Sequence, residues 1–172
     1  MRIAVIGHSG AGKSTLAKAL GEGYHCPVLH LDTVHFLEGW QERGPEEAER
    51  LVRAFLQQTD WVIEGNYKNL AYWERMEAAD CIVFLHFSRF RCFLQAYHRY
   101  LSYRGRVRDS MAPGCIEKFD WEFCRWILWT GRGKNARCHY QQVRQRYPDK
   151  FYTCRTPRET AALLRRMTEV TV

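Results

Sequence analysis

The 172-residue sequence lacks any apolar run near the ~20 residues that a membrane span requires. The apolar stretch at residues 3–6 is too short for the hydrophobic region of a secretory signal, so a soluble cytoplasmic protein without a membrane partner is expected. No C-x-x-C pair occurs among the 7 cysteines, at positions 26, 81, 92, 115, 124, 138 and 154. Odd in number and scattered, they indicate neither a zinc site nor a disulfide framework, and read as reduced thiols placed mostly in the core. Histidines 25, 30 and 35 fall five apart, which puts no pair on one helical face, so a histidine metal cluster is not expected. Internal repeats and low-complexity segments are also missing. One domain over 1–172 is long enough to bury roughly two thirds of its unfolded surface.

Acid is missing from one region in particular. Arg89, Arg91, Arg99, Arg104, Arg106 and Arg108 occur with no acidic residue among them, in a chain of net charge +7. Anions are the expected partners, and charge alone does not choose between a nucleotide phosphate and a nucleic-acid backbone.

What the chain does have begins almost at once. In "IAVIGHSGAGKSTL", residues 3–16, Gly7 is followed by four residues and then Gly12, Lys13 and Ser14, which satisfies G-x-x-x-x-G-K-[ST]. Ile3 to Ile6 supply the strand before the turn, and Leu16, Ala17, Ala19 and Leu20 the helix after it. Glycines let the loop turn its amide N–H groups inward, and the helix start adds the positive end of its dipole. Gly7, Ser9, Gly10, Ala11, Gly12, Lys13, Ser14 and Thr15 are therefore the candidate nucleotide-binding residues. Lys13 would reach the β and γ phosphates, Ser14 would ligate Mg²⁺, and Thr15 would bond the α phosphate, which makes ATP and Mg²⁺ the expected cofactors.

Four further apolar runs follow: "VLHLD" (28–32), "WVIEGNY" (61–67), "CIVFLHF" (81–87) and "KFYTC" (150–154). Helical patterns separate them. The segment from 43 to 58 has Pro45 near a helix start, acids in its first turn, and Leu51, Val52, Phe55 and Leu56 on one face. Thr156-Pro157-Arg158-Glu159 reads as a capping box, with Leu163, Leu164 and Met167 to pack the last helix. The alternation predicts a five-stranded parallel α/β sheet with helices on both faces and ligands at the carboxyl ends of the strands. Between Arg89 and Tyr147 the pattern is helical, broken at "SYRGRVRDSMAPGC", so a lid over 99–115 is expected between strands four and five. Trp121, Phe123, Trp126 and Trp129 fall at helical spacing and are expected in core or hinge packing rather than base stacking.

With "GHSGAGKST", "LHLD" and Gly39-Trp40, "WVIEGNY", the arginine-rich break and "FDWEFCRWI" in this order, the chain resembles the adenylate-kinase-like P-loop kinases. Within them it is most similar to the DNA topology modulation proteins of the FlaR type. The resemblance covers nearly the whole chain and implies a nucleotide-binding P-loop fold. Two positions depart from it: Glu64 stands before Gly-Asn-Tyr where an Asp is expected, and His86 stands after the fourth strand where another Asp is expected. Glu64 can still hold a water on Mg²⁺ through a longer arm, whereas His86 cannot replace an anionic ligand, so Ser14 and Glu64 form the expected metal pair.

The acceptor side follows from the same edge of the sheet. Asp32 is the candidate base for a substrate hydroxyl, and Lys13, Arg99, Arg104 and Arg108 the candidate stabilisers of transferring phosphate. Trp40, Glu64, Asn66 and Tyr67 join Asp32 as candidate substrate-binding residues. The reading is a Mg²⁺-ATP-dependent phosphotransferase acting on a nucleoside, nucleotide or polyol. The alternatives are a DNA-associated ATPase or regulatory nucleotide-binding protein, and an inert nucleotide-binding scaffold. Nucleic acid is expected to bind weakly and without sequence preference.

Overall fold

Apolar runs without alternation form the middle of a parallel sheet, because both of its faces are covered. In the computed structural model, which describes residues 1–169, β1 (Arg2–Gly7), β2 (Val28–His30), β3 (Trp61–Glu64), β4 (Cys81–Leu85) and β5 (Phe151–Cys154) pair wholly in parallel. The order is β2-β3-β1-β4-β5, so the first strand stands at the centre. Residues 170–172, the end of the domain expected over 1–172, lie outside the described part.

Alternate residues of the central strands face opposite helical layers. On one face Ala4, Ile6, Ile63 and Ile82 pack with α2 (Leu31–His35), α3 (Pro45–Phe55), α4 (Tyr72–Ala78) and α7 (Lys134–Arg146). On the other, Ile3, Val5, Val62 and Val83 pack with α1 (Lys13–Tyr24), α5 (Arg89–Ser102), α6 (Trp121–Leu128) and α8 (Pro157–Glu169). Each fully buried isoleucine or leucine contributes roughly 1.5–3 kcal/mol, so the two layers together fix the strand register. Among the described residues no helix is long and apolar enough to cross a membrane.

The expected strands are in place, and the second, third and fourth end earlier than their apolar runs. "VLHLD" stops at His30, because Leu31–His35 is helical: Thr33 Oγ1 donates to the His30 carbonyl at 2.7 Å, and Phe36 N to the Asp32 carbonyl at 3.0 Å. The third run stops at Glu64, where Gly65 turns the chain with φ 137°. α4 has no counterpart in the sequence reading; seven residues are too few to show a helical period. On α3, Pro45 takes the first turn as expected and Val52 is buried, but Leu51 is exposed. The capping box forms, with Glu159 N donating to Thr156 Oγ1 at 3.2 Å and Arg155 N to Glu159 Oε2 at 2.8 Å.

Three helices lie between β4 and β5, and residues 103–120 between α5 and α6 are irregular. The expected lid is therefore offset, since Arg99 lies on α5, which runs on to Ser102. The tryptophan expectation fails for three of the four aromatics. Trp121, Trp126 and Trp129 are exposed, while Phe123 and Ile127, four apart, form the inner side of α6.

Candidate active site

The phosphate loop leaves β1 at Gly7 and enters α1 at Lys13. Gly10 has φ 77°, and a Cβ there would stand 2.2 Å from the Cys92 carbonyl oxygen, so only glycine lets the loop lie against α5. Gly12 has φ 86° and caps α1 without any side chain, which leaves the helix N-terminus free to receive an anion. Gly7 and Ala11 serve the scaffold rather than the cleft. Asn66 brackets the Gly7 peptide, accepting from its N–H at 3.2 Å and donating to its carbonyl, and Ala11 is buried in the core. Ser9, Gly10, Gly12, Lys13, Ser14 and Thr15 line a cleft of about 1140 Å³ at the carboxyl edge of the sheet.

Register brings the metal candidates together. β2 and β3 pair His30 with Glu64, and Glu64 Oε1 accepts from Ser14 Oγ at 2.9 Å while lying 3.0 Å from His30 Nδ1. Glu64 is only 3% exposed. Burial opposes its ionisation, but the His30 hydrogen bond, the Lys13 charge and the Ser14 hydroxyl together hold its carboxyl below the usual carboxylate range. Glu64 is thus a buried carboxylate that orients the Ser14 hydroxyl. Hard oxygen donors on an uncapped helix start fit Mg²⁺ and the phosphates of a nucleoside triphosphate. Lys13 Nζ rests on the His8 carbonyl at 3.2 Å.

His8 is a buried member of the loop whose ring packs edge-on to Tyr140 and near His86. Burial, followed by the charges of Arg132, His86 and Lys13, lowers its pKa to about 3, so the loop carries a neutral imidazole at ordinary pH. His86 itself is exposed and stacks on Phe84, a packing role.

The other end of the cleft gathers residues from distant parts of the chain. Asp32, in the first turn of α2, accepts from the Tyr67 hydroxyl at 2.8 Å. Burial and the Asp32 carboxylate raise the Tyr67 pKa, so the hydroxyl stays a donor. Tyr67 is set in turn by Arg75, a fully buried residue of α4, which donates to the Leu70, Gly65 and Tyr67 carbonyls. Burial lowers the Arg75 pKa to about 10, and the guanidinium also lies over the Tyr72 ring. The Asn66 carboxamide, bonded to Gly7 and to Tyr140 Oη, is a brace of the phosphate loop rather than a free acceptor-binding group.

Arg99 and Arg108 line the same cleft as Lys13, with a partner that the sequence did not reveal. Arg99 donates through Nε to Glu117 Oε1 at 2.6 Å, and Arg108 Nε lies 2.7 Å from Glu117 Oε2. The second contact is one of charge, because the Arg108 Nε–H does not point along a hydrogen bond. The acid missing between 89 and 108 is supplied by Glu117 from the far side of the irregular segment. Burial and the Arg108 charge lower the Arg99 pKa, with Glu117 opposing them. Arg104 is exposed and does not reach the cleft.

The same segment is pinned down over the cleft. Trp40 donates through Nε1 to the Ile116 carbonyl at 3.2 Å and through its backbone N to Cys115 Sγ at 3.3 Å. Met111, Ala112 and Cys115 form a small cluster with Phe36, Trp40 and Val107. His30, Glu117 and Arg75 were missed in the sequence. A strand-end register would have found His30, whereas Glu117 and Arg75 carry no local signal.

No protein-family model and no curated protein matches the chain. Among solved structures it is similar to a shikimate kinase from Bacteroides thetaiotaomicron, at 20% identity and TM-score 0.53 over 99% of this chain and 98% of that one. A gluconokinase from Sinorhizobium meliloti 1021 gives 19% identity and TM-score 0.52 over 99% and 94%. A shikimate kinase from Acinetobacter baumannii in complex with shikimate gives 14% and 0.55 over 99% and 92%. These likenesses show the fold, and they do not reach the narrower resemblance to DNA topology modulation proteins. The chain has the α/β fold of the small P-loop kinases, its phosphate loop at the carboxyl edge of a five-stranded parallel sheet.

Proposed function

We propose that the protein is a Mg²⁺-ATP-dependent phosphotransferase whose acceptor is a hydroxyl of a small metabolite such as a nucleoside or polyol. The observation that carries this reading is the charge pairing at the acceptor end: Arg99 and Arg108 share Glu117, while the Asp32 carboxylate, whose charge also reaches Arg99, accepts its hydrogen bond from the neutral Tyr67 hydroxyl. A phosphate acceptor needs arginines free to bind it, whereas a hydroxyl acceptor needs a base. The fold is also shared with proteins named as kinases of small metabolites.

In this reading the loop amides and Lys13 hold the β and γ phosphates, and Ser14, oriented by Glu64, faces the metal. Mg²⁺ would neutralise charge on the β and γ oxygens. Asp32 receives the hydroxyl proton as the acceptor oxygen bonds to the γ phosphorus and the bond to the β,γ-bridging oxygen breaks. The segment 103–120 excludes water from above. Exposed Arg104 and Arg106 leave nucleic acid a weak, sequence-independent and salt-sensitive contact.

The test is ATP consumption screened over nucleosides, polyols, sugars and nucleoside monophosphates. Turnover is expected with a hydroxyl acceptor, and Asp32→Asn should lower it roughly 10²- to 10⁴-fold with little change in ATP affinity. Turnover with monophosphates alone, or equally mild effects of Asp32→Asn and Arg99→Ala, would reject the assignment.

A further inference from the structure

Part of the cleft lies beyond both the phosphate loop and the acceptor residues. Its wall there is Trp126, Thr130, Gly131, Asn135 and Ala136, at the junction of α6 and α7. Arg132 Nη1 donates to the Phe87 carbonyl at 2.9 Å, and the Tyr140 ring stacks on Phe84 with centroids 4.3 Å apart, so this junction stands over the end of β4. β4 flanks β1 on the side away from β3 and β2, the strands that lead to Tyr67 and Asp32. The loop therefore has the acceptor residues on one side and this wall on the other.

Trp126 is 52% exposed, yet its ring is held in place. The indole lies against Gly131, where a Cβ would stand 2.8 Å from Cε2 and 2.9 Å from Nε1, so a larger residue there would push the ring from its seat. Arg132 ties down the turn that carries Gly131, donating through Nε to the Ile127 carbonyl at 3.0 Å. Trp121 and Trp129 are exposed as well but do not line the cleft. A single aromatic on an outer surface needs no explanation, whereas one seated in a cleft offers a flat apolar face to what enters it.

We propose that the base of the nucleotide donor stacks on Trp126 and that this indole selects a purine. The inference rests on the phosphotransferase reading: with the γ phosphate turned toward Asp32, the nucleoside leaves the loop on the opposite side, where Trp126 stands. Base and indole meet face to face in an offset stack, which grows stronger with overlap, so a two-ring purine is held better than a one-ring pyrimidine. A ring seated before the ligand arrives also loses little freedom on binding it. The acceptor has rings of its own at the other end, Phe36, Trp40 and Tyr67, and at Asp32 it has no use for Trp126.

The experiment is isothermal titration calorimetry of the full chain with Mg²⁺ and without acceptor. The probes are the non-hydrolysable β,γ-imido analogues of ATP, GTP, CTP and UTP, with inorganic tripolyphosphate as the ligand that has no base. The purine analogues should bind about tenfold more tightly than the pyrimidine ones. Trp126→Ala should weaken purine binding about tenfold and erase that preference, while tripolyphosphate affinity stays within about twofold. Trp126→Leu, which keeps apolar bulk without a ring, should do the same, and Trp126→Phe should keep part of the preference. Circular dichroism checks that each variant is folded, and the leucine variant decides if the alanine variant is not. Purine and pyrimidine analogues that bind the wild type alike, or a purine preference that survives both ring-less variants, overturn the proposal and leave the phosphotransferase reading in place. An equal loss for tripolyphosphate also overturns it, because the indole would then only support the loop. Failure of every nucleotide and of tripolyphosphate to bind the wild type overturns both.

Discussion

The two ends of the cleft are built in different ways. The phosphate end is one contiguous loop held by the sheet: Asn66 brackets Gly7, Glu64 orients Ser14, and Gly10 lies against α5. The acceptor end is an assembly, with Asp32 from α2, Arg99 from α5, and Arg108 and Glu117 from the irregular segment docked on Phe36 and Trp40. A site carried by one loop is fixed once the sheet forms, whereas a site gathered by docking exists only while the segment is down. The difference suits the proposed reaction, in which the phosphate groups would recur from turnover to turnover while the acceptor enters and leaves.

The largest expected effect strikes the rigid end. Lys13→Ala removes the lysine ammonium of the loop, and turnover should fall at least about 10²-fold. Because the side chain is half-buried and its hydrogen bond goes to the His8 carbonyl, the melting temperature should move little, by no more than the loss of its charge near Glu64. Steady-state kinetics and a thermal melt on the same preparation check both. Unchanged turnover would remove the phosphate loop from the comparison.

A second substitution strikes the docked end. Glu117→Gln leaves two partly buried arginines near each other without their shared carboxylate. Losing one partner of a buried pair costs about 3 kcal/mol, or roughly a 10²-fold shift toward the undocked segment, taking the low end because Arg99 is partly exposed. Trypsin should then cut faster at Arg104 and Arg106, while affinity for an ATP analogue stays within about threefold, since the phosphate end does not depend on docking. Proteolysis at the wild-type rate would show that the ion pairs do not hold the segment.

How much of this was legible follows the same division. The course of the loop from β1 into α1 could be read because its residues are consecutive, and the sheet because buried strands are short apolar runs. Asp32 was placed at the right edge but on the wrong element, since a run of five apolar and polar residues does not separate a strand end from a helix turn. The arginines were read as unopposed because their acid, Glu117, meets them only when the segment folds back. The tryptophans of α6 misled for a related reason: periodicity marks a face, and the face turned inward is that of Phe123 and Ile127.

The smallest expected effect concerns the ionisation of His8, and it sharpens the claim that the phosphate end is pre-built. In the unfolded chain this imidazole takes up a proton near pH 6.5, whereas in the folded loop burial and the neighbouring cations lower that to about 3. Between those values the unfolded state binds a proton that the folded state refuses, so stability is complete above pH 6.5 and falls as the pH drops. The slope from one histidine is at most about 1.4 kcal/mol per pH unit. Exposed His86 and half-buried His139 are lowered in the same direction and add to it. Urea melts of wild type and His8→Gln between pH 7 and pH 5 separate the contribution, before most carboxylates titrate. The variant should show the shallower loss. Equal slopes would mean that the His8 ring reaches solvent in the folded protein, and that the loop is looser than its packing against Tyr140 and Phe84 implies.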